Sequence, residues 1–304
     1  MDKSKFEYLI TEKDKELPIK EILKRNFGFS SRLMAKLKVC DGVRLNGNPV
    51  KMYEKAVMGD KITVTLPNEK SEFEPENIPI SVVYEDEDLL IVNKQPGYVV
   101  HPTKGHPCHT IANGIMNYMI ENNRFFKIRF INRLDMDTSG LLVIAKNSYC
   151  QDDFSKQMRE NAVTKKYIAI VKGIIEENNG RIDLPIDKEQ EDLVKRAVVQ
   201  GGYPSVTHYK VLERYEKGYT MVELLLETGR THQIRVHMSH LGYPVVGDVL
   251  YGEAAVRLIE RQALHARYLS FKHPISGKFM EVEAPLPQDI QDLLKKISSS
   301  NIIA

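Results

Sequence analysis

The chain has 304 residues, of which 42% are hydrophobic and 28% charged, proportions typical of a globular protein. No apolar stretch approaches the roughly 20 residues that a membrane span needs, and the first residues contain no apolar signal core, so neither membrane insertion nor export is expected. The three cysteines are widely scattered and form neither a disulfide framework nor a zinc-binding spacing. These features predict a cytoplasmic protein whose length allows two domains.

The net charge of +2 conceals an uneven distribution of charged residues. Residues 17–67 contain ten lysines and arginines against four acids, so this segment carries +6 and the rest of the chain −4. A polyanionic partner would account for such a basic segment, and so would a solvated charged surface. Charge alone leaves both interpretations open.

The basic segment predicts a small α/β domain. Pro18 is suited to the first position of a helix over 19–25, and Ser30 or Ser31 can cap a second helix. An Asn-Gly dipeptide between apolar residues then predicts a hairpin, because both positions of a tight hairpin turn require positive φ. A turn and a final strand complete the domain.

The order of these elements resembles the S4 RNA-binding domain: two helices, a hairpin in the sequence GVRLNG and a closing segment VMGDKITV. The resemblance covers residues 17–67. It implies a basic surface that follows an RNA backbone by shape and charge. The residues expected to form this surface are Arg32, Lys36, Lys38 and Arg44.

A polar segment, 68–80, predicts a linker between this domain and the rest of the chain. Three prolines and four glutamates lie between 67 and 79. This composition favours an extended hinge without packed structure. The first domain is therefore expected to move relative to the body.

The body, 81–288, combines short strand-like runs with helix-like stretches at 148–159 and 231–241, and a tail helix is expected over 289–304. Strands and helices do not alternate strictly. An α+β body with a mixed, mostly antiparallel sheet is therefore favoured over a doubly wound parallel sheet. The clearest strand-like runs are Leu89–Asn93, Leu141–Ala145, Tyr167–Val171, Thr220–Leu226 and Phe279–Ala284.

A polar turn before one of these runs carries the strongest candidate for chemistry. The segment NRLDMDTSG, 132–140, precedes the apolar run LLVIA, which anchors the turn to a core. Asp135 is thus held at the edge of a sheet, where a carboxylate can face a cleft. Taken alone, the pattern favours the simpler interpretation that Asp135 caps the turn.

Five motifs occur in order along the body. They are YVVHPTKG (98–105), NRLDMDTSGLLVIAK (132–146), KKYIAIVKG (165–173), TGRTHQIRVHMSHLGYPVVGD (228–248) and LHARYLSFKHP (264–274). Together they resemble the RluA-type branch of the RNA pseudouridine synthases over residues 81–287. The resemblance implies the pseudouridine synthase fold and the isomerisation of selected uridines within an RNA chain.

In that reaction the uracil is detached from ribose at N1 and rejoined through C5. No electrons change hands and nothing is added, so the resemblance implies no redox cofactor, metal or nucleotide. Ribosomal RNA is the favoured substrate because of the S4-like segment, with transfer RNA second. A monomer is expected.

The resemblance also implies roles for individual residues. The family's catalytic aspartate falls on Asp135, whose carboxylate would attack either C6 of the base or C1′ of the ribose. Arg133 would occupy the space vacated by a flipped base, and Tyr167 would stack on the target uracil. The simpler interpretations are a phosphate contact for Arg133 and a core position for Tyr167.

Arg235 matches the family's basic partner of the aspartate, with Arg230 as the competing assignment. A guanidinium beside the carboxylate would keep it ionised and oriented. On a helix over 231–241, His232 would share a face with Arg235. Substrate contacts are expected for Arg230, His232 and Lys165. The apolar residues expected to face the core are Ile234, Met238 and Leu241.

One position departs from the usual family pattern. The commonest residue before the Arg-Leu-Asp sequence is histidine, and this chain has Asn132 there. Asparagine can donate a hydrogen bond to a substrate, but it cannot titrate near neutrality. The change argues against a general base at this position and leaves the candidate nucleophile unaffected.

Two other classes of function are compatible with parts of the sequence. Histidines cluster within 101–109 and within 232–240, as in a metal hydrolase, but neither cluster has a His-Glu-x-x-His motif or a cysteine or acid at ligand spacing. A non-catalytic RNA-binding or ribosome-assembly factor would need only the S4-like segment. The presence of Asp135, Tyr167 and Arg235 together favours the enzyme.

Overall fold

The computed structural model describes residues 5–188, 195–252 and 258–298. They form a small N-terminal unit and a larger body built around one large sheet. The predicted α+β class with a mixed, mostly antiparallel sheet is confirmed. None of the helices in these ranges is long and apolar enough to cross a membrane.

The small unit combines two helices with a four-stranded antiparallel sheet. Its elements are β1 (Lys5–Leu9), α1 (Ile19–Phe27), α2 (Ser31–Val39), β2 (Val43–Leu45), β3 (Asn48–Pro49) and β4 (Lys61–Thr65). The strand order is β1-β4-β2-β3. β1 lies ahead of the predicted start at residue 17, but it pairs with β4 along its whole length and buries Phe6 in the core. The unit therefore extends to residue 5.

Local sequence explains where these elements begin and turn. Pro18 was predicted at the first helical position, but it lies one position earlier, at the N-cap of α1. The Ser30 hydroxyl caps α2 by accepting a hydrogen bond from the backbone N–H of Leu33 at 3.3 Å. Asn46 and Gly47 have φ values of 51° and 85°, as the predicted hairpin turn requires.

The body contains the remaining elements. Its strands are β5 (Val82–Glu85), β6 (Leu89–Lys94), β7 (Arg129–Phe130), β8 (Ser139–Ala145), β9 (Thr164–Lys172), β10 (Asn179–Asp183), β11 (Ile186–Lys188), β12 (Arg196–Val198), β13 (Val206–Tyr215), β14 (Tyr219–Leu226), β15 (Leu264–Lys272) and β16 (Phe279–Glu283). Its helices are α3 (Ile111–Glu121), α4 (Ser148–Arg159), α5 (Gln233–His240) and α6 (Gln288–Ser298).

The large sheet has ten strands, and its main path runs β10-β13-β14-β9-β15-β8-β6-β5. β16 adds to β15 and β7 adds to β8, while β11 and β12 form a separate pair. Across the described strands, every pairing is antiparallel except that of β8 with β15. This central parallel pair brings the loop that carries Asp135 beside the start of β15.

β8 is buried on both faces, which explains its continuous apolar sequence. Successive side chains of a strand point to opposite faces, so neighbouring residues of β8 enter different cores. Leu141 and Val143 pack in the core that includes α4, and Leu142 and Ile144 pack in the core that includes α3. Two helical layers therefore fix the strand that follows the Asp135 loop.

The predicted helix ends are right for α4 and wrong for α5. α4 spans Ser148–Arg159 as predicted, and the side chain of Asn147 caps it by accepting a hydrogen bond from a backbone N–H at 2.9 Å. α5 begins after His232, because this residue adopts a left-handed φ of 58°. Leu241, predicted to face the core, lies beyond the helix and is 39% exposed.

The predicted tail helix corresponds to α6, which begins one residue earlier than expected. Its apolar side chains pack into the core formed by α5, β9 and β14, and the buried ones are Ile290, Leu293 and Ile297. Residues 299–304 of the predicted tail lie outside the described residues.

Residues 68–80 contain neither helix nor strand, but they pack along the body. Phe73 packs against the α3 core, and Ile78 is buried. The Ser71 hydroxyl accepts a hydrogen bond from the backbone N–H of Ile128 at 2.9 Å. The expectation of an unpacked hinge is therefore wrong, because a few apolar and hydrogen-bonding residues fix a segment whose overall composition is polar.

The small unit packs against α4 of the body. The ring of Tyr149 contacts Phe6 and Phe29 edge to face, with centroid distances of 4.8 and 5.4 Å. The Ser30 hydroxyl donates a hydrogen bond to the Asp152 carboxylate at 2.7 Å. These contacts place α2 and the Asp135 loop along one cleft.

Candidate active site

Backbone contacts hold the loop between β7 and β8 that carries Asp135. Lys94, buried at the end of β6, donates hydrogen bonds from Nζ to the carbonyl oxygens of Met136 and Thr138 at 2.7 and 2.9 Å. The N–H of Gly97 donates to the same Met136 carbonyl at 3.1 Å, and the N–H of Thr138 donates to the Asp135 carbonyl at 3.1 Å. The carboxylate therefore projects from an ordered turn.

Strand register places a tyrosine beside this loop. Gly140 lies opposite Ala266 of β15, and Ala266 lies opposite Tyr167 of β9. Gly140 has a φ of 113°, and a Cβ there would lie 2.2 Å from the Ala266 carbonyl oxygen, so β8 and β15 can approach this closely only at glycine. Tyr167 is half-buried and lines the cleft together with Asp135. Burial and the charge of Asp135 raise the pKa of Tyr167, which keeps its hydroxyl protonated.

Arg235, rather than Arg230, is the cation that contacts Asp135. One guanidinium nitrogen, Nη1, lies 2.9 Å from Oδ2 of Asp135. The opposite edge of the guanidinium binds the fully buried Asp248 through Nε and Nη2, at 2.6 and 2.9 Å. Burial by itself would lower the pKa of Arg235, but the hydrogen bonds to Asp248 and Asp135 and their charges have the larger effect. The pKa of Arg235 therefore lies above its ordinary value, and the guanidinium stays charged. Asp248 thus fixes the orientation of the group that holds Asp135.

His232 and Tyr251 complete the surroundings of Asp135. Nε2 of His232 lies 3.8 Å from Oδ2 of Asp135, and its Nδ1 is hydrogen-bonded to the Tyr251 hydroxyl at 2.9 Å. Burial lowers the pKa of His232, although the charge of Asp135 opposes the shift. The Tyr251 ring also lies 5.1 Å from the guanidinium carbon of Arg235. In the described part of the chain, Oδ1 of Asp135 accepts no hydrogen bond, and the side chain is 23% exposed.

The cleft that contains Asp135 has a volume of about 1310 Å³. Pockets for small ligands have volumes of roughly 300–1,000 Å³, so this cleft is large enough for a segment of a polymer. Its lining carries twice as many cationic as acidic side chains, and this excess positive charge attracts a polyanion. The cationic residues are Arg32, Lys36, Lys127, Arg129, Arg133, Arg159, Lys165 and Arg230.

The predicted substrate-binding cations differ in their availability. Arg133 is exposed, and neither it nor the half-buried Lys165 makes a hydrogen bond or ion pair with any described residue. Burial lowers the pKa of Lys165. Arg230 is engaged, because its guanidinium lies 5.3 Å from the centre of the Tyr203 ring and its Nε donates to the Pro204 carbonyl at 3.4 Å.

Asn132 is bound on both sides to the backbone of β8. Its amide nitrogen donates to the Leu141 carbonyl at 3.0 Å, and its amide oxygen accepts from the N–H of Val143 at 2.8 Å. The side chain lines the cleft, but these bonds give it a role in holding the loop to the strand. Only one of the two N–H groups of the amide is used in this way, so the other stays available for the substrate contact expected at this position.

The four predicted RNA-binding residues of the small unit fall into two pairs. Arg32 and Lys36 line the cleft, whereas Lys38 and Arg44 are exposed outside it. Lys36 is hydrogen-bonded to the Glu69 carboxylate at 2.9 Å. Arg44 donates from Nη1 to a carbonyl of its own hairpin at 3.0 Å. The structure therefore brings two of the four to the same cleft as Asp135.

Three residues that support the candidate nucleophile were not predicted from the sequence: Lys94, Asp248 and Tyr251. A lysine that ends an apolar strand is a recognisable signal of a buried cation, and Lys94 directly follows the run 89–93. Asp248 closes the motif GYPVVGD, but no helical or strand spacing pairs it with Arg235, thirteen positions earlier. Their contact depends on the chain turning back after α5.

The histidines of the two sequence clusters have different surroundings in the structure. His232 lies in the candidate site, whereas His237 is buried and hydrogen-bonded within the body. In the first cluster, the ligand atoms of His109, Cys108 and Glu76 lie within 4.8 Å of one another. A cysteine and an acid therefore do accompany His109 at ligand spacing, contrary to the expectation from the sequence. None of these three residues lines the cleft.

Comparisons with known proteins connect this geometry to a family. A sequence profile described as RNA pseudouridylate synthase matches residues 88–240. The uncharacterized RNA pseudouridine synthase YlyB of Bacillus subtilis (strain 168) is 42% identical over 272 residues, covering 88% of this chain and 89% of that protein. Ribosomal large subunit pseudouridine synthase D of Escherichia coli (strain K12) is 37% identical over 278 residues, covering 87% of this chain and 82% of that protein.

Solved structures agree with the sequence comparisons. Human RNA Pseudouridylate Synthase Domain Containing 1 has a TM-score of 0.57 and 30% sequence identity, covering 76% of this chain and 98% of that chain. The sequence similarity extends over most of the chain and includes the loop that holds Asp135. The chain therefore belongs to the RluA-type RNA pseudouridine synthases, isomerases that act on uridine in RNA.

Proposed function

We propose that this chain converts specific uridines of a structured RNA to pseudouridine, with Asp135 as the nucleophile that acts on a flipped-out base. Ribosomal RNA is the favoured substrate and transfer RNA the second. The S4-like order of the first elements supports an RNA partner, and the similar enzyme of Escherichia coli is named for the large ribosomal subunit. The small unit would bind the RNA backbone while the body rearranges the base.

The arrangement of Asp135 carries this proposal. One carboxylate oxygen is bound by Arg235, and the other faces a cationic cleft without a hydrogen-bond partner in the described part of the protein. The reaction breaks the N1–C1′ bond and forms a C5–C1′ bond, while N1 gains a proton and C5 loses one, so there is no net oxidation. A carboxylate can add to C6 or C1′ and leave again, and Arg235 would stabilise its charge in both steps.

Two further residues fit the handling of a flipped base. A uridine within a stem must leave its stack before its glycosidic bond can be rearranged. Arg133 is exposed at the cleft two positions before Asp135, where it can fill the vacated space. Tyr167 lies across the strand register from the same loop, and its ring would stack on the extruded uracil. Lys165, on the same strand and in the lining of the cleft, would contact a phosphate or a base oxygen.

Replacement of the candidate nucleophile tests the reaction. Asp135→Asn keeps the size of the side chain and one oxygen that can accept the hydrogen bond from Arg235, but it removes the nucleophilic charge. We expect the release of tritium from RNA that contains [5-³H]uridine to fall on the order of 10³-fold or more, because the covalent step is lost. Binding of the same RNA should persist. Continued isomerisation by this variant would contradict the assignment.

Asp137→Asn is the matched control. Asp137 lies in the same loop but not among the residues that line the cleft, and its backbone carbonyl accepts a hydrogen bond from Arg261 whatever the side chain. Asp137→Asn and Asp135→Asn each remove one negative charge from the loop. If Asp137→Asn releases tritium at close to the wild-type rate, the loss of activity in Asp135→Asn is due to position 135 and not to the charge of the loop.

A further inference from the structure

Three cations converge on one carboxylate in the cleft. Nζ of Lys36 lies 2.9 Å and Nζ of Lys127 lies 3.9 Å from Oε1 of Glu69, and Arg129 donates a hydrogen bond to Oε2. Lys36 belongs to α2 of the small unit, whereas Arg129 begins β7 and Lys127 precedes it. All four residues line the same cleft as Asp135.

The cluster is partly buried and carries an excess of positive charge. The Arg129 side chain is 6% exposed, and it also donates to the backbone carbonyls of Lys127 and Lys146, which fix its guanidinium. The Glu69 side chain is 21% exposed. Burial raises the pKa of Glu69, but the hydrogen bond from Lys36 and the charge of Arg129 lower it below its ordinary value, so the carboxylate is ionised. The charge of Asp152 also acts on Arg129, so three cations face two carboxylates and one positive charge remains.

We propose that Lys36, Lys127 and Arg129 form a binding site for a backbone phosphate of the RNA, and that Glu69 occupies this site until the RNA displaces it. The inference rests on the proposed function, because it takes RNA as the occupant of the cleft. A phosphodiester, like a carboxylate, presents two charged oxygens to Arg129 and Lys36. Its larger phosphorus centre would also bring an oxygen closer to Lys127, which lies beyond hydrogen-bond distance of the carboxylate.

The surroundings of Glu69 fit an exchange of this kind. Arg32, one turn before Lys36 on α2, is exposed at the cleft and forms no hydrogen bond or ion pair with another described residue. RNA held by Arg32 would therefore reach the cluster directly on its way to Asp135. Ser71, two positions after Glu69, is held to the body by the hydrogen bond that its hydroxyl accepts from the N–H of Ile128, so a rotation of the Glu69 side chain can release the carboxylate while the linker stays attached.

Glu69→Gln tests the exchange, with Glu72→Gln as the matched control. Both substitutions remove one negative charge from the linker, but Glu72 is exposed and has no hydrogen-bond or ion-pair partner within the described ranges. Affinity for a fluorescently labelled RNA hairpin with a uridine in its loop would be measured by anisotropy. We expect Glu69→Gln to bind this RNA about three- to tenfold more tightly than Glu72→Gln at low salt, because the competing carboxylate is gone.

The cations are tested separately by the salt dependence of binding. Lys36→Gln and Lys127→Gln should each weaken binding of the hairpin and reduce the slope of log affinity against log salt concentration by about one. Unchanged slopes in both variants would overturn the phosphate site. Equal affinities of Glu69→Gln and Glu72→Gln would overturn the displacement of Glu69.

Thermal unfolding distinguishes displacement from a purely structural contact. If Glu69 only joined the small unit to the body, Glu69→Gln would lower the melting temperature and weaken RNA binding, and this result would overturn the inference. Isomerisation by Asp135→Asn would overturn the proposed mechanism but leave the comparison of Glu69→Gln with Glu72→Gln intact. Absence of RNA binding by the wild-type protein would overturn both.

Discussion

Lys94 is a buried lysine whose side chain holds the Asp135 loop through hydrogen bonds to the loop backbone. Its Nζ donates to three backbone carbonyls, those of Gln95, Met136 and Thr138, at 3.0, 2.7 and 2.9 Å. Only the protonated amine has three N–H donors. Burial nevertheless lowers its pKa from 10.5 to about 7, although the charges of Asp137 and Asp135 oppose the shift. Burial of the charged form of Lys94 therefore lowers the free energy of unfolding, although the same side chain holds the loop in place.

Lys94→Met should change the pH dependence of stability. Between the folded pKa of about 7 and the unfolded value of 10.5, the unfolded chain binds a proton that the folded chain has released. Stability therefore rises with pH in this window, and the cost of burying the charge is complete below about pH 7. The free energy of unfolding of wild type relative to Lys94→Met should rise by up to about 1.4 kcal/mol per pH unit above pH 7. Urea unfolding at several pH values measures it.

The control for this prediction is Lys38→Met, which removes an exposed lysine that lies outside the cleft. Its difference in free energy of unfolding from wild type should not vary with pH. A difference between wild type and Lys94→Met that stays constant, or falls, across the same range would show that Lys94 remains charged in the folded protein.

At the scale of elements, the parallel pairing of β8 with β15 depends on Gly140. Gly140→Ala would place a methyl group 2.2 Å from the Ala266 carbonyl oxygen at a φ of 113°. We expect a loss of more than about 1 kcal/mol in the free energy of unfolding, together with lower activity, because the strands must separate beside the Asp135 loop. Gly105→Ala is the control, since Gly105 has open space around it and no positive φ. Equal stability of the two variants, measured by urea unfolding, would contradict this view of the pairing.

The ends of helices and turns that depend on residues close by in the sequence were predictable from the sequence. The cap at Ser30, the hairpin turn at Asn46 and Gly47, and the span of α4 follow from local preferences for backbone conformation and hydrogen bonding. The start of α5 was not predictable in this way. His232 adopts a left-handed conformation there, and the hydrogen bond of its ring to Tyr251 joins residues far apart in the sequence.

In the candidate site, too, some residues could be predicted from the sequence, whereas those that depend on contacts distant in the sequence could not. The resemblance to a family drew attention to Asp135, Tyr167 and Arg235, and the fold brings the three together. Asp248 was missed because its contact with Arg235 arises only when the chain turns back after α5. The packing of the linker was missed because its polar composition obscured Phe73, whose partner core is built by α3.

At the scale of the whole molecule, the docking of the small unit determines the shape of the cleft. Arg32 and Lys36 come from the small unit and Asp135 comes from the body, yet they line one continuous surface. Aromatic contacts through Tyr149 hold the two parts together, and each such contact contributes about 0.5–1.5 kcal/mol beyond its buried area. Because these contacts are already formed in the free protein, the RNA is spared the entropic cost of ordering two separate units.

Tyr149→Ala should therefore weaken the use of RNA without changing the chemical step. Removing the ring abolishes its contacts with Phe6 and Phe29 but leaves Asp135 and its partners in place. We expect KM for a structured RNA to rise about five- to thirtyfold, as the loss of about 1–2 kcal/mol in docking implies, with kcat nearly unchanged. Tyr149→Phe keeps both ring contacts and serves as the control, since the Tyr149 hydroxyl bonds to no residue in the described ranges. Limited proteolysis should cleave the linker faster in Tyr149→Ala than in wild type, but not in Tyr149→Phe. If the two variants were equally resistant to proteolysis and had the same KM, contacts other than those of the Tyr149 ring would hold the units together.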